Sequence, residues 1–150
     1  MRPMAGTYLT LRAPSADDRD FFFETRRDGF RTYAEQVFGP WDDDKHRGFA
    51  SRDFDELPVE IIEEDGQRIG YQIVLRHADH WFLDEIALVA AARGRGLGTE
   101  LVMAIVGAAR AAQMPLRLSV LYVNPAQRLY ERLGFRVTHV EHPRVKMEIT

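Results

Sequence analysis

The chain has 150 residues, 45% of them hydrophobic and 29% charged, with a formal net charge of −3 and no cysteine. That balance suits one soluble globular domain over residues 1–150 and excludes a disordered chain, a disulfide scaffold and a Cys-based zinc site. It also lacks the basic excess of a nucleic-acid binder, and no apolar run is long enough for a membrane span.

Tyr8–Arg12 alternates and reads as a short strand. Ser15 is placed to cap a helix over Asp17–Phe30, with Asp17 and Asp18 in its first turn. A second helical stretch, Arg31–Phe38, stops at Gly39-Pro40. Residues 41–56 are polar and acidic and read as a short helix with loops. Val59–Glu63 and Ile69–Leu75 are apolar runs flanking Glu64-Asp65-Gly66-Gln67, whose Asp-Gly step marks a hairpin. Trp81–Val89 is a further strand. Gly96–Gln113 carries Leu97, Leu101, Ala104, Ile105 and Ala108 at helical spacing, and Met114-Pro115 ends it. Leu116–Val123 is a strand. Pro125–Leu133 is a short helix capped by Asn124 and closed by Gly134. Phe135–Val140 and Val145–Ile149 are the last strands. The order predicts an α/β (α+β) sandwich built on one mixed sheet. Met1–Thr7 has no apolar signal-peptide core, so the cytoplasm is the expected compartment.

The segment Arg93-Gly94-Arg95-Gly96-Leu97-Gly98 follows a strand and opens a helix. Glycines let backbone approach a ligand closely, and the first helical N–H groups have no intrahelical partner. Together with the helix dipole and two arginines they suit a phosphate, and a pyrophosphate above all. Thr99-Glu100 stands where a P-loop needs Lys-Ser/Thr, and Thr99 takes the place of a third dinucleotide-fold glycine. Taken alone, the loop serves equally as a tight turn packed under a helix.

The spacing Arg93-x-x-Gly96-x-Gly98 resembles the Gln/Arg-x-x-Gly-x-Gly/Ala signature of GNAT acetyltransferases. A strand, Leu83–Val89, precedes it, and Asn124-Pro125-Ala126-Gln127-Arg128-Leu129-Tyr130-Glu131-Arg132-Leu133-Gly134-Phe135 follows at the spacing of that superfamily. Ala91-Ala92 departs from the acidic-aromatic pair common before the Arg/Gln. The resemblance implies a mainly antiparallel sheet of six to seven strands, helices on both faces, and an acetyl-CoA slot between two splayed central strands. It implies that the backbone of Ile86, Ala87 and Leu88 pairs with the pantetheine arm and can polarise the thioester carbonyl. Arg93, Gly94, Arg95, Gly96, Leu97, Gly98 and Thr99 would hold the pyrophosphate, with the N–H groups of Arg95–Thr99 foremost. Asn124 would contact the pantetheine, and Tyr130 would protonate the departing thiolate. The implied reaction is direct attack of a primary amine, on a small molecule or a protein, in a ternary complex. A non-catalytic acyl-CoA-binding module on the same fold is the alternative, and a homodimer is compatible with either.

Tyr130 shares a helix face with Ala126, Leu129 and Leu133, so a core role competes with the catalytic one. For the general base, Asp84, Ile86 and Leu88 alternate with Glu85, Ala87 and Val89, and one set should face the acceptor. Glu85 is the first candidate and Asp84 the second, since Ser119 replaces the carboxylate that some relatives carry on the next strand. Tyr33, Glu35 and Trp41 lie in a stretch, Arg31–Asp42, that suits a cationic amine through ring faces and a carboxylate. The same stretch reads equally as amphipathic packing beside a solvated acidic loop. His77-Ala78-Asp79-His80 has no third ligand in view, so no metal is expected.

Overall fold

The computed structural model describes residues 8–150. Met1–Thr7, read above for a signal peptide, lie outside the described residues. Seven strands form one sheet in the order β1-β2-β3-β4-β5-β7-β6. They are β1 (Leu9–Arg12), β2 (Val59–Glu64), β3 (Gln67–Arg76), β4 (Trp81–Leu88), β5 (Leu116–Leu121), β6 (Arg136–Glu141) and β7 (Arg144–Ile149). Every neighbouring pair is antiparallel except β4 with β5. Four helices cover the sheet: α1 (Arg19–Phe38), α2 (Asp43–Glu56), α3 (Leu97–Ala111) and α4 (Ala126–Arg132).

Alternation along the strands sorts the core into two layers. Ile61, Tyr71, Ile73 and Ala87 point to α1 and α2, where Phe22, Phe23, Ala50 and Phe54 close over them. Val74, Leu83, Leu118, Val120, Val145 and Met147 point the other way, to Val102, Ile105 and Val106 of α3 and Tyr130 of α4. The β2–β3 hairpin turns on Asp65 (φ 50°) and Gly66 (φ 85°), consecutive left-handed residues of the kind a two-residue hairpin requires.

Two helical expectations are corrected. The stretches read as Asp17–Phe30 and Arg31–Phe38 are one helix of 20 residues, preceded by a 3-10 turn at Ala16–Asp18. Gly29 does not break it, because a lone glycine inside a helix costs only about 1 kcal/mol and keeps its backbone N–H and C=O for the helix. The acidic stretch 41–56 is a 14-residue helix, because Asp42 accepts a hydrogen bond from Lys45 N (3.1 Å) at its start. Ala50 and Phe54 supply the buried stripe that holds α2 to the sheet.

Two irregularities in the sheet position the site. The β4–β5 register ends at Leu83↔Leu118, so β4 from Glu85 to Leu88 keeps its β3 partners and leaves its other edge without a strand. The β3–β4 register runs Ile73↔Glu85 and then Val74↔Leu83, which makes Asp84 the extra residue of a bulge. Without that bulge Leu83 and Glu85 would share a face; with it, Leu83 enters the α3 layer and Glu85 lies under α1.

Candidate active site

The edge that β4 leaves open is one wall of a cavity of about 680 Å³. Asp84, Glu85 and Ile86 line it from β4, Ser119 and Leu121 from β5, and Asn124, Ala126 and Tyr130 from the turn and α4. Tyr33, Trp41, His46 and Phe49 line it from α1, α2 and their connection. Arg144 and Lys146 complete it from β7.

Tyr130 is buried, with its ring against Phe135 at 5.5 Å between centroids. Burial pushes its hydroxyl up to about 12, so the phenol keeps its proton at neutral pH. Asn124 uses its Oδ1 to accept from Ala126 N (2.9 Å), the cap expected at the start of α4. Leu133 N–H and Phe135 N–H both donate to Tyr130 O, at 3.1 and 3.0 Å, and Gly134 at φ 107° lets the chain turn back.

The two carboxylates of β4 differ. Glu85 is held on both oxygens: Arg26 donates through Nε (3.2 Å) and Nη2 (2.5 Å), and Tyr71 Oη donates at 2.5 Å. Arg26 also donates to Asp53 at 3.0 Å, which ties α1, α2, β3 and β4 together. Burial raises the Glu85 carboxyl, and Arg26 and Tyr71 draw it only part of the way back. Asp84 is half-buried and makes no hydrogen bond or ion pair with the described residues. Burial raises its carboxyl too, against the pull of Arg26 and Arg144.

The loop before α3 has the shape of an anion cradle. Gly94 (φ 72°) and Gly96 (φ 80°) are left-handed, and a Cβ on Gly94, Gly96 or Gly98 would meet nothing within 4 Å. Their Cα faces are thus open, as a bound pyrophosphate would need. Leu97, the first helical residue, is buried, and Thr99 lies in the first turn. Arg93 Nε donates to Leu88 O (2.9 Å), whereas Arg95 forms a two-point pair with Glu64 of β2 at 2.9 and 2.6 Å.

Of the acceptor residues read from the sequence, Tyr33 and Trp41 line the cavity and Glu35 does not. Glu35 accepts from Trp41 N (3.1 Å) and pairs with Arg31 (3.4 Å), so it fixes the α1–α2 connection. Trp41 is stacked on His46, 3.6 Å between centroids and 9° between planes. Burial, then Lys45, lowers the His46 imidazole, which favours its neutral form. Arg26, Asp53, His46, Arg144 and Lys146 escaped the sequence reading. A basic side chain, Arg26, on an otherwise aromatic face of α1 was the one visible signal.

His80 Nδ1 lies 2.7 Å from Asp79 Oδ1 at the β3–β4 turn. Among the described residues no group of three His, Cys, Asp or Glu side chains is placed to hold a metal ion. No helix among them is long and apolar enough to cross a membrane.

The model for an acetyltransferase (GNAT) domain matches residues 56–137, the hairpin, the open-edged strand, the cradle and the Tyr130 helix together. The chain belongs to the GNAT family of acetyltransferases. Its fold is similar to that of PaiA N-acetyltransferase from Thermoplasma acidophilum in complex with coenzyme A, with a TM-score of 0.73, 15% identity, and 93% and 97% of the two chains covered. It is also similar to the ribosomal-protein-S18-alanine N-acetyltransferase from Escherichia coli (TM-score 0.67, 19% identity, 94% and 92% covered). An acyl-CoA N-acyltransferase from Pseudomonas aeruginosa matches at a TM-score of 0.63, 20% identity, and 96% and 99% coverage. Among curated proteins no sequence matches the chain.

Proposed function

We propose that this chain is an N-acetyltransferase that moves the acetyl group of acetyl-CoA to a primary amine by direct attack in a ternary complex. The observation that carries the reading is the open edge of β4, with the Gly94–Gly98 cradle at one end and the Tyr130 hydroxyl at the other. The backbone groups of Ile86–Leu88 that face the edge away from β3 suit the amides of a pantetheine arm, which would lie along the edge as a strand does, with Leu88 O already taken by Arg93. The open faces of Gly94, Gly96 and Gly98 suit a pyrophosphate at the start of α3. Acetyl-CoA supplies the activated acyl carbon, and the remaining work falls to side chains.

Asp84 is the better placed of the two candidate bases. Glu85 has both oxygens engaged, whereas Asp84 lines the cavity, has no partner and is raised by burial. Asp84, directly or through a water, takes the proton of the incoming ammonium. The amine nitrogen then bonds to the acyl carbon as the carbon–sulfur bond breaks, Tyr130 hands its proton to the sulfur, and the second proton of the nitrogen passes to the Tyr130 phenolate as the amide forms. A non-catalytic acyl-CoA binder would need the cradle alone and would have no use for Asp84 beside Tyr130.

The test is binding and turnover on one preparation. Acetyl-CoA at a hundredfold excess over its Kd should add about 2.7 kcal/mol of stability, and NAD none. Tyr130→Phe should keep that shift and lower turnover by about 10²–10⁴-fold. A flat response to acetyl-CoA would overturn the cofactor assignment; unchanged turnover would remove Tyr130 from the chemistry.

A further inference from the structure

The acceptor half of the cavity carries an uneven balance of charge. Val120 of β5 and Val145 of β7 face the α3 layer, so Ser119, Arg144 and Lys146 face the α1–α2 side, where the acceptor would enter. Arg26 is matched by Glu85 and Asp53, and Arg52 lies 3.7 Å from Asp53. Lys146 reaches only the exposed Glu141, at 3.6 Å, a contact worth little. Arg144, two residues away on the same face, is in no ion pair among the described residues.

A second observation marks the same spot. Ser119 pairs directly with Lys146 across β5 and β7. Its hydroxyl oxygen is shut off from water and has no hydrogen-bond partner among the described residues, although Ser119 lines the cavity. A buried hydroxyl left unmet is costly, and rotation of the Ser119 side chain toward the cavity it lines would let a ligand oxygen meet it. The guanidinium fork of Arg144 matches the two oxygens of a carboxylate. Asp84, the half-buried carboxylate with no hydrogen-bond or ion-pair partner among the described residues, lines the same cavity as these cations, within electrostatic reach of Arg144.

We infer that the acceptor is an amino carboxylate, with its amine at Asp84 and its carboxylate on Arg144 and Lys146, where Ser119 adds a donor. This rests on the acetyltransferase reading of the same cavity. It replaces the cationic acceptor implied by Tyr33, Glu35 and Trp41, because Glu35 is turned away to Trp41 N. Tyr33 and Trp41 would then flank the carbon chain between the two charged ends.

The experiment uses matched-length ω-amino carboxylates, α,ω-diamines and aminoalkyl phosphonates. Thiol release from acetyl-CoA and the melting temperature in the presence of CoA are both recorded. The amino carboxylates should have the lowest KM and should raise the melting temperature. Arg144→Gln should raise their KM by about ten- to a hundredfold, the loss of a charge-assisted hydrogen bond or two, and leave the KM for acetyl-CoA unchanged. The pair Arg144→Glu with Lys146→Glu should turn the preference to diamines. A wild-type preference for diamines, or an equal effect of Arg144→Gln on every acceptor, overturns the inference. A preference for phosphonates overturns the carboxylate assignment. If no amine releases thiol while acetyl-CoA still stabilises the protein, the transferase reading fails. Stabilisation by an amino carboxylate that vanishes in Arg144→Gln would then support the anion subsite on its own.

Discussion

Asp18, just before α1, and Glu85, beneath its second turn, are both carboxylates gripped by arginines under one helix, yet their protons respond oppositely. Asp18 accepts from Arg12 (2.7 and 3.1 Å), Arg68 (3.2 Å) and Ser15 N (2.8 Å), and Arg12 above all holds it well below the usual carboxylate range. Glu85 has Arg26 and Tyr71, but burial outweighs them and holds it above that range. The difference is in the number of cations and donors. Two arginines and a backbone N–H outweigh the desolvation of the buried Asp18, while one arginine shared with Asp53 does not outweigh that of Glu85. A clamp of the first kind fixes α1 to the sheet; one of the second kind leaves a carboxyl that holds its proton more tightly than usual beside a cavity.

The sharpest way to separate the two regions is one chemical change made in each. Asp84→Asn, beside Glu85, should lower turnover by about 10²–10⁴-fold with little loss of stability, whereas Asp18→Asn should leave turnover intact. In the wild type, the raised Asp84 carboxyl should set the acid limb of kcat/KM above the ordinary aspartate range, with activity lost as pH falls through it. Normal turnover in Asp84→Asn would return the role of base to Glu85.

Next in size is Arg26→Met, which leaves Glu85 without its cation and Asp53 with only the more distant Arg52. A loss of about 3–5 kcal/mol is expected in denaturant unfolding at neutral pH, shrinking in acid as Glu85 takes up a proton. A loss below about 1 kcal/mol would class Arg26 with rim contacts.

Asp18→Asn should cost about 2 kcal/mol at neutral pH. The folded-state affinity of Asp18 for a proton is depressed, so the stability it lends is present above the unfolded pKa and lost as pH falls through the folded one. Urea midpoints of variant and wild type should therefore converge in acid, and a constant gap would contradict the assignment. The smallest effect is that of Glu35→Gln: about 1 kcal/mol or less of stability and no change in the KM for the amine. A rise in that KM alone would bring Glu35 back to the acceptor.

The element order, the hairpin, the cradle and the Tyr130 helix were legible because each has a local signature: an Asp-Gly step, glycines before an apolar helix, a capping Asn and a closing Gly. The bulge was not, since the apolar-rich run Trp81–Leu88 passes for a regular strand and only pairing with β3 reveals the extra residue. The single α1 was not legible because only its first half, with Phe22, Phe23 and Thr25, carries a buried stripe, and the second half continues without one. The acceptor wall was hardest to see. Arg144 and Lys146 are about sixty residues from Asp84 in sequence and reach the same cavity only through the non-sequential placement of β7 beside β5.

The Arg95–Glu64 pair bears on how an arriving anion meets the cradle. With Arg95 already matched, the loop offers the field of one bare guanidinium, that of Arg93, instead of two. A phosphate that takes Arg95 must displace a carboxylate, which is ion exchange and not neutralisation. Exchange of one anion for another is only weakly sensitive to ionic strength, because salt screens the old contact as it screens the new. Glu64 of β2 would thus act as an internal counter-ion to an anion-binding loop, loosening its hold on phosphate at Arg95 and making that one contact less dependent on salt.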